Sequence, residues 1–144
     1  METPLTDAID RGDLELAARL LDRGEDPNEP NGFGESPLMV AAMSGGTSAL
    51  GLLVAHGAEV NRSYKDGWTA LHAAIDFSID STIQMGGAPG EEPTEAVLWL
   101  LEHGADLNKK TDQGETALDF AESYNSSTMA ALLRKPQLGS GHDA

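Results

Sequence analysis

At 144 residues, with nine Lys and Arg against 24 Asp and Glu, the chain carries a formal charge of −15 and no cysteine. That length suits one domain with a real core, and the lack of cysteine excludes disulfides, thiolate metal sites and cysteine nucleophiles. The acidity opposes binding to nucleic-acid phosphates or anionic lipid and favours a basic partner.

In chain order, the start METPLTDAIDRGD has neither the basic region nor the apolar run of a signal peptide. Instead, Thr3 is placed to cap a helix whose first residue is Pro4, where a missing N–H costs nothing. Ala8 sits on that helix, and Gly12 turns the chain into a second helix with Leu20 on its apolar stripe. Gly24 ends this helix, in the phrase LLDRGEDPN, and a polar stretch around Gly34 makes a hairpin-like turn. The same events then recur. SPL at 36–38 opens a helix with Ala41, Gly45 turns it, and Leu53 precedes the phrase LLVAHGAEVN, with a polar turn at Gly67. TAL at 69–71 opens the third unit with Ala74, which closes on Leu100, LLEHGADLN and a turn at Gly114. TAL at 116–118 opens the fourth, with Ala121, a turn at Asn125 and Leu133.

Three independent markers keep one period. Gly24, Gly57 and Gly104 stand 33 and then 47 apart, as do Asn28, Asn61 and Asn108, and as do the openings at Ser36, Thr69 and Thr116. The longer step is 33 plus 14 and falls across FSIDSTIQMGGAPGEE, residues 77–92. Leu71, Ile75, Ile79 and Ile83 follow each other at i,i+4, predicting that the third unit's first helix runs on by about eight residues, or roughly 12 Å. MGGAPGEE then returns the chain to Pro93, which is expected to open the next helix. No membrane span is expected, because runs such as LMVAAM and AVLWLL fall far short of roughly 18 residues. A cytoplasmic location is expected.

SPLMVAAMSGGTSALGLLVAHGAEVN and DGWTALHAAI…EAVLWLLEHGADLN resemble ankyrin repeats, with their T-P-L-H-x-A-A opening and L-L-x-x-G-A-x-x-N close. Four units at about 3–31, 32–64, 65–111 and 112–135 cover nearly the whole chain, leaving a tail at 136–144 expected to be flexible. The resemblance implies an all-α solenoid of stacked helix-turn-helix units joined by hairpin-like loops, lengthened in the third unit. The signature histidine survives only as His72; Thr6, Met39 and Asp119 replace it elsewhere. The first unit has no hairpin before it and the last has no G-A-x-x-N close, as expected of units that cap a stack.

Candidate chemistry is sparse. Thr69, His72 and Asp76 could suggest a catalytic trio, but the resemblance implies that Thr and His tie turns together. His56 and His103 occupy equivalent places before a terminal glycine; cations near a helix C-terminus suit the dipole, and no metal site is expected. GFG at 32–34 lacks the third glycine of a dinucleotide fingerprint. GGAPG at 86–90 lacks the Lys-Ser/Thr of a P-loop and precedes Glu91 and Glu92, which repel phosphate. With only Asp80 besides that pair, the insertion offers little to an enzyme. No catalysis and no cofactor are expected.

The resemblance implies that proteins bind on a concave face made by hairpin tips and first helices. Its positions hold Phe33, Glu35, Met43, Ser44, Lys65, Asp66 and Trp68, then Asp76 and Phe77, and finally Asp112, Gln113, Glu115, Ser123 and Tyr124. Phe33, Trp68, Phe77 and Tyr124 are four of the chain's seven aromatics, the residue type that anchors interfaces, whereas Trp99 lies on an apolar second helix and is expected in the core. Lys65 is the one basic residue on this acidic face, which would steer a basic partner. In size and charge the chain resembles immunity proteins that bacteria pair with secreted toxins. The expected role is thus a free monomer that binds and inhibits a protein; a permanent assembly subunit is the alternative, and an enzyme at the insertion a third reading. The insertion at 78–91 is a candidate second contact site.

Overall fold

In a computed structural model, residues 3–44, 47–87, 94–124 and 126–134 are described. The expected turns at Gly45 and Asn125, the entry at Pro93 and the tail lie outside these residues. Eight α-helices occur among those described, with no strand: α1 (Pro4–Asp10), α2 (Leu14–Asp22), α3 (Pro37–Ser44), α4 (Thr47–Ala55), α5 (Ala70–Gln84), α6 (Glu95–Glu102), α7 (Ala117–Ser123) and α8 (Ser127–Arg134).

The first helix of each unit begins where a hydroxyl satisfies an orphan backbone N–H. Thr3 Oγ1 accepts from Thr6 N–H (3.1 Å), Ser36 Oγ from Met39 N–H (3.1 Å) and Thr116 Oγ1 from Asp119 N–H (3.2 Å). The residue three positions on reaches back in three of the four units. Thr6 Oγ1, His72 Nδ1 and Asp119 Oδ2 accept from the N–H groups of Thr3 (2.9 Å), Thr69 (3.2 Å) and Thr116 (2.9 Å). Thr6 and Asp119 thus keep the local role of the signature histidine, closing a reciprocal capping box, whereas Met39 does not. What Thr6 and Asp119 lack is His72's second contact, to the following unit.

Successive units stack first helix on first helix, α1 on α3 on α5 on α7, with each second helix packed against its own partner. The close approach follows from Ala8, Ala41, Ala74 and Ala121, which occupy one register and are all fully buried. Leu20, Leu53, Leu100 and Leu133 fill the layer behind them. Gly24, Gly57 and Gly104 follow the second helices with φ of 102°, 99° and 94°, the left-handed turn the sequence predicts there.

Asparagines fasten one unit to the next. Asn28 accepts from Glu59 N–H (2.8 Å) and donates to Gly57 O (3.2 Å). Asn61 accepts from Asp106 N–H (2.7 Å) and donates to Gly104 O (2.9 Å). The periodic asparagine is therefore a clip that satisfies both a donor and an acceptor of the neighbouring loop. Hairpin tips also touch: Asp112 N–H donates to Asp66 O (2.9 Å), and a Cβ at Gly67 would lie 2.6 Å from Asp112 N. With φ of +77° as well, Gly67 is required for both conformation and space.

The insertion lengthens α5 to 15 residues, against 8 in α3 and 7 in α1 and α7. The stripe leading into it needs one correction. Leu71, Ile75 and Ile79 are buried, whereas Ile83 is 39% exposed. By Ile83 the helix has outrun its shorter neighbours, and the i,i+4 row has drifted round the axis. A second difference lies at α6, which begins at Glu95 after Thr94, whose side chain makes no capping bond. No described helix is long and apolar enough to cross a membrane.

Candidate functional site

The hairpin tips, the ends of α1, α3 and α7 and the middle of α5 share one side of the stack, and three hollows indent it. The first is bounded by Phe33, Gly34, Glu35, Met39, Lys65, Asp66 and Trp68. The second, of about 400 Å³, lies among Asp10, Glu35, Val40, Met43, Ser44 and Phe77. The third is walled by Trp68, Asp76, Glu115, Phe120, Ser123 and Tyr124. Glu35 is shared by the first two and Trp68 by the first and third, so the hollows form a continuous row. All the residues anticipated on this face line it except Asp112 and Gln113, which stay exposed at the last hairpin tip.

Local folding explains how each side chain arrives. Asn31 Oδ1 accepts from the N–H groups of Phe33 (2.9 Å) and Glu35 (3.1 Å), and Thr111 Oγ1 does the same for Gln113 (3.2 Å) and Glu115 (3.3 Å). These buried side chains hold the hairpin tips in shape and present the intervening residues outward. Asp66 sits in the left-handed region at φ 60°, a conformation Asp tolerates better than most residues.

The four aromatic rings divide into two kinds. Phe33 is 57% exposed and Phe77 45%. Trp68 is half-buried and packs edge-on against Phe120, with ring centroids 5.0 Å apart and planes at 67°. Tyr124 is half-buried and donates its hydroxyl to Asp76 Oδ1 at 2.6 Å. Burial, then the Asp76 carboxylate, raises the Tyr124 pKa, so the phenol stays protonated. Trp68 and Tyr124 therefore join the third unit to the fourth as well as facing outward. The expected core position of Trp99 also needs amendment: half-buried, it stacks on the exposed His103 with centroids 3.6 Å apart.

His72 is structural. Its Nδ1 accepts from Thr69 N–H, which leaves the proton on Nε2, and that group donates to Glu115 O (3.1 Å). Burial lowers its pKa, outweighing the backbone bond to Glu115, and keeps the ring neutral. Asp76 turns to Tyr124 instead, so the trio suggested by spacing is not assembled. His56 and His103 each use Nδ1 on a carbonyl one turn back, Leu52 O (3.0 Å) and Trp99 O (2.8 Å). His56 also reaches Asp22 through Nε2 (3.2 Å). The Leu52 carbonyl, then Asp22, raises the His56 pKa. No group of three or more His, Cys, Asp or Glu is gathered for a metal among the described residues.

Five lining residues were not anticipated from sequence: Gly34, the buried Met39 and Val40, and the two with most bearing on the site, Asp10 and Phe120. Asp10 shares its register with Met43 and Asp76, so the period alone could have found it. Phe120 takes the register of Val40 and Ala73, and a ring in place of smaller side chains was the available signal.

Comparison with known proteins agrees with this architecture. Residues 5–85 match a family model described as ankyrin repeats in three copies, and residues 88–134 one described as ankyrin repeats in many copies. Human SH3 and multiple ankyrin repeat domains protein 1 is 34% identical over 87 residues, covering 56% of this chain and 4% of that protein. Rat cyclin-dependent kinase 4 inhibitor B is 44% identical over 57 residues, 40% of this chain and 43% of the relative. Mouse nuclear factor NF-kappa-B p105 subunit is 47% identical over 51 residues, 35% of this chain and 5% of the relative. The chain thus spans a small part of the first and last of these proteins and under half of the second. With its helix pairs stacked in register and its caps and clips repeated along the stack, the chain belongs to the ankyrin repeat family.

Proposed function

We propose that the chain is a non-catalytic interaction module, monomeric when free, that grips a basic protein partner on its hairpin-side face. The observation carrying this reading is the composition of the three hollows. Asp10, Glu35, Asp66, Asp76 and Glu115 line them against Lys65 alone, around exposed Phe33 and Phe77. Apolar anchors supply the contact energy, and the ring of carboxylates supplies attraction and selectivity. The net charge of −15 extends that attraction beyond the contact itself. Neither nucleic acid nor membrane suits such a surface.

Inhibition is the role that fits best: an acidic face seated on the basic substrate site of an enzyme blocks it, as an immunity protein does to its toxin. One relative is named as an inhibitor of a cyclin-dependent kinase, which supports inhibition as a task for repeats of this kind. The experiment is affinity capture from the source cells on immobilised wild-type protein and on the Phe33→Ala/Phe77→Ala variant, at low and high salt. A basic protein held at low salt, released at high salt and lost by the variant is the expected result. Equal capture by both forms, or retention of acidic proteins independent of salt, would overturn the reading. A secreted toxin encoded beside this gene, inactivated by adding this protein, is the expected form of the immunity role.

A further inference from the structure

We propose that the hollow between the first three units is an arginine subsite, taking one guanidinium side chain from the protein partner. It rests on the interaction reading above and specifies which chemistry enters which hollow. Val40 and Met43 of α3 and Phe77 of α5 supply apolar walls, and Asp10 and Glu35 bring carboxylates from two further elements. Phe77 owes its place to the insertion. The regular first helices stop at this register or one residue before it, α3 at Ser44 and α1 at Asp10, whereas α5 runs on to Gln84. A position at a helix end elsewhere is here held in mid-helix, so the backbone that carries the Phe77 ring is fixed beside the hollow.

The mixture of walls selects the occupant. A purely apolar side chain would strip water from Asp10 and Glu35 without pairing them, which is unfavourable. An ammonium is compact and strongly hydrated, and gives up that hydration reluctantly beside a phenyl ring. A guanidinium is flat and weakly hydrated, lays its face on an aromatic ring, and offers a fork of donors to carboxylates. Its alkyl stem matches Val40 and Met43.

The protein's own cations leave this hollow open. Arg11, next to Asp10, pairs with Asp7 at 3.1 Å. The Asp10 side chain makes no hydrogen bond or ion pair among the described residues, and Glu35 is steadied by Asn31 Nδ2 at 3.2 Å. The flanking hollows are already committed: Lys65 lines the first, while in the third Asp76 accepts from Tyr124 and Trp68 packs on Phe120.

The test uses ¹⁵N-labelled full chain titrated with N-acetyl-arginine methylamide, alongside the lysine and citrulline analogues. Expected are saturable amide shifts at Glu35, Val40, Met43, Ser44 and Phe77, with a Kd of about 1–10 mM, the weak range open to a single small fragment. The lysine analogue should bind about fivefold more weakly, and citrulline, the uncharged isostere, should not saturate. Phe77→Ala and Asp10→Asn, both at exposed positions, should abolish the shifts and leave the rest of the spectrum in place. The proposal is overturned by absence of saturation, by equal binding of citrulline, by persistence in both variants, or by shifts centred on the Phe33 or Tyr124 hollow. Should the probe fail while partner capture still depends on Phe33 and Phe77, the arginine assignment falls and the interaction reading stands. The converse result separates them the other way.

Discussion

His72 offers a sensitive test of how the third and fourth units are joined. Replacing it with Ala removes the acceptor of Thr69 N–H, leaving that buried donor unpaired, and the donor to Glu115 O, which keeps only its bond from Thr111 N–H (2.9 Å). The unpaired N–H costs about 1–3 kcal/mol when buried, and the lost ring, 5.1 Å from Phe120 by centroids, adds a cavity. His72→Ala is therefore expected to destabilise by about 3–5 kcal/mol. A milder variant, His72→Gln, keeps a donor and an acceptor but cannot titrate. The folded chain holds this imidazole below its ordinary pKa of 6.5, chiefly by burial. Below about pH 6.5 the unfolded chain binds a proton that the folded chain refuses, so stability falls as pH drops, by at most about 1.4 kcal/mol per unit. His56, raised in the fold, acts oppositely and elsewhere: its contribution is complete below 6.5 and declines as pH climbs through its elevated pKa. Urea unfolding at pH 5.5 and 7.5 reads both effects. Wild type should lose more stability than His72→Gln on acidification, and equal losses would refute the assignment of a buried neutral imidazole.

Three further outcomes are expected from thermal or urea unfolding. Gly67→Ala, which meets Asp112 N at 2.6 Å, should cost clearly more than Gly12→Ala, which has open space at a similar φ and pays only the left-handed penalty of about 1–2 kcal/mol. Ile79→Ala should cost about 2–5 kcal/mol and Ile83→Ala no more than about 0.5 kcal/mol, since the first is buried and the second exposed. Asn61→Ala should cost about 1–2 kcal/mol through loss of its paired bonds to Gly104 and Asp106, with faster hydrogen exchange at the Asp106 amide as its local signature.

The fold was legible because the period repeats residues whose physical task is local. A hydroxyl cap, a small residue between helices, a left-handed glycine and an Asn clip each declare themselves at one position, and recurrence turns weak signals into a strong one. The lengthened α5 was legible for the same reason, from the spacing of Leu71, Ile75 and Ile79. Where a residue's fate depends on another unit, the sequence was silent. Nothing near Ile83 says that α3 and α7 are too short to cover it. Nothing near Trp68 announces Phe120, some fifty residues on, and nothing at Tyr124 announces Asp76. The same gap explains the site: the register placed Phe33 and Phe77 on the hairpin side of the stack, but their exposure, against the half-burial of Trp68 and Tyr124, is set by packing between units.

The most direct measurement of the central claim is a hydrogen-exchange footprint of the chain bound to its captured partner. Protection is expected over the hairpin tips and the facing helices, at Phe33–Ser44, Lys65–Phe77 and Glu115–Tyr124. Protection confined to α2, α4, α6 and α8 on the opposite side would contradict it.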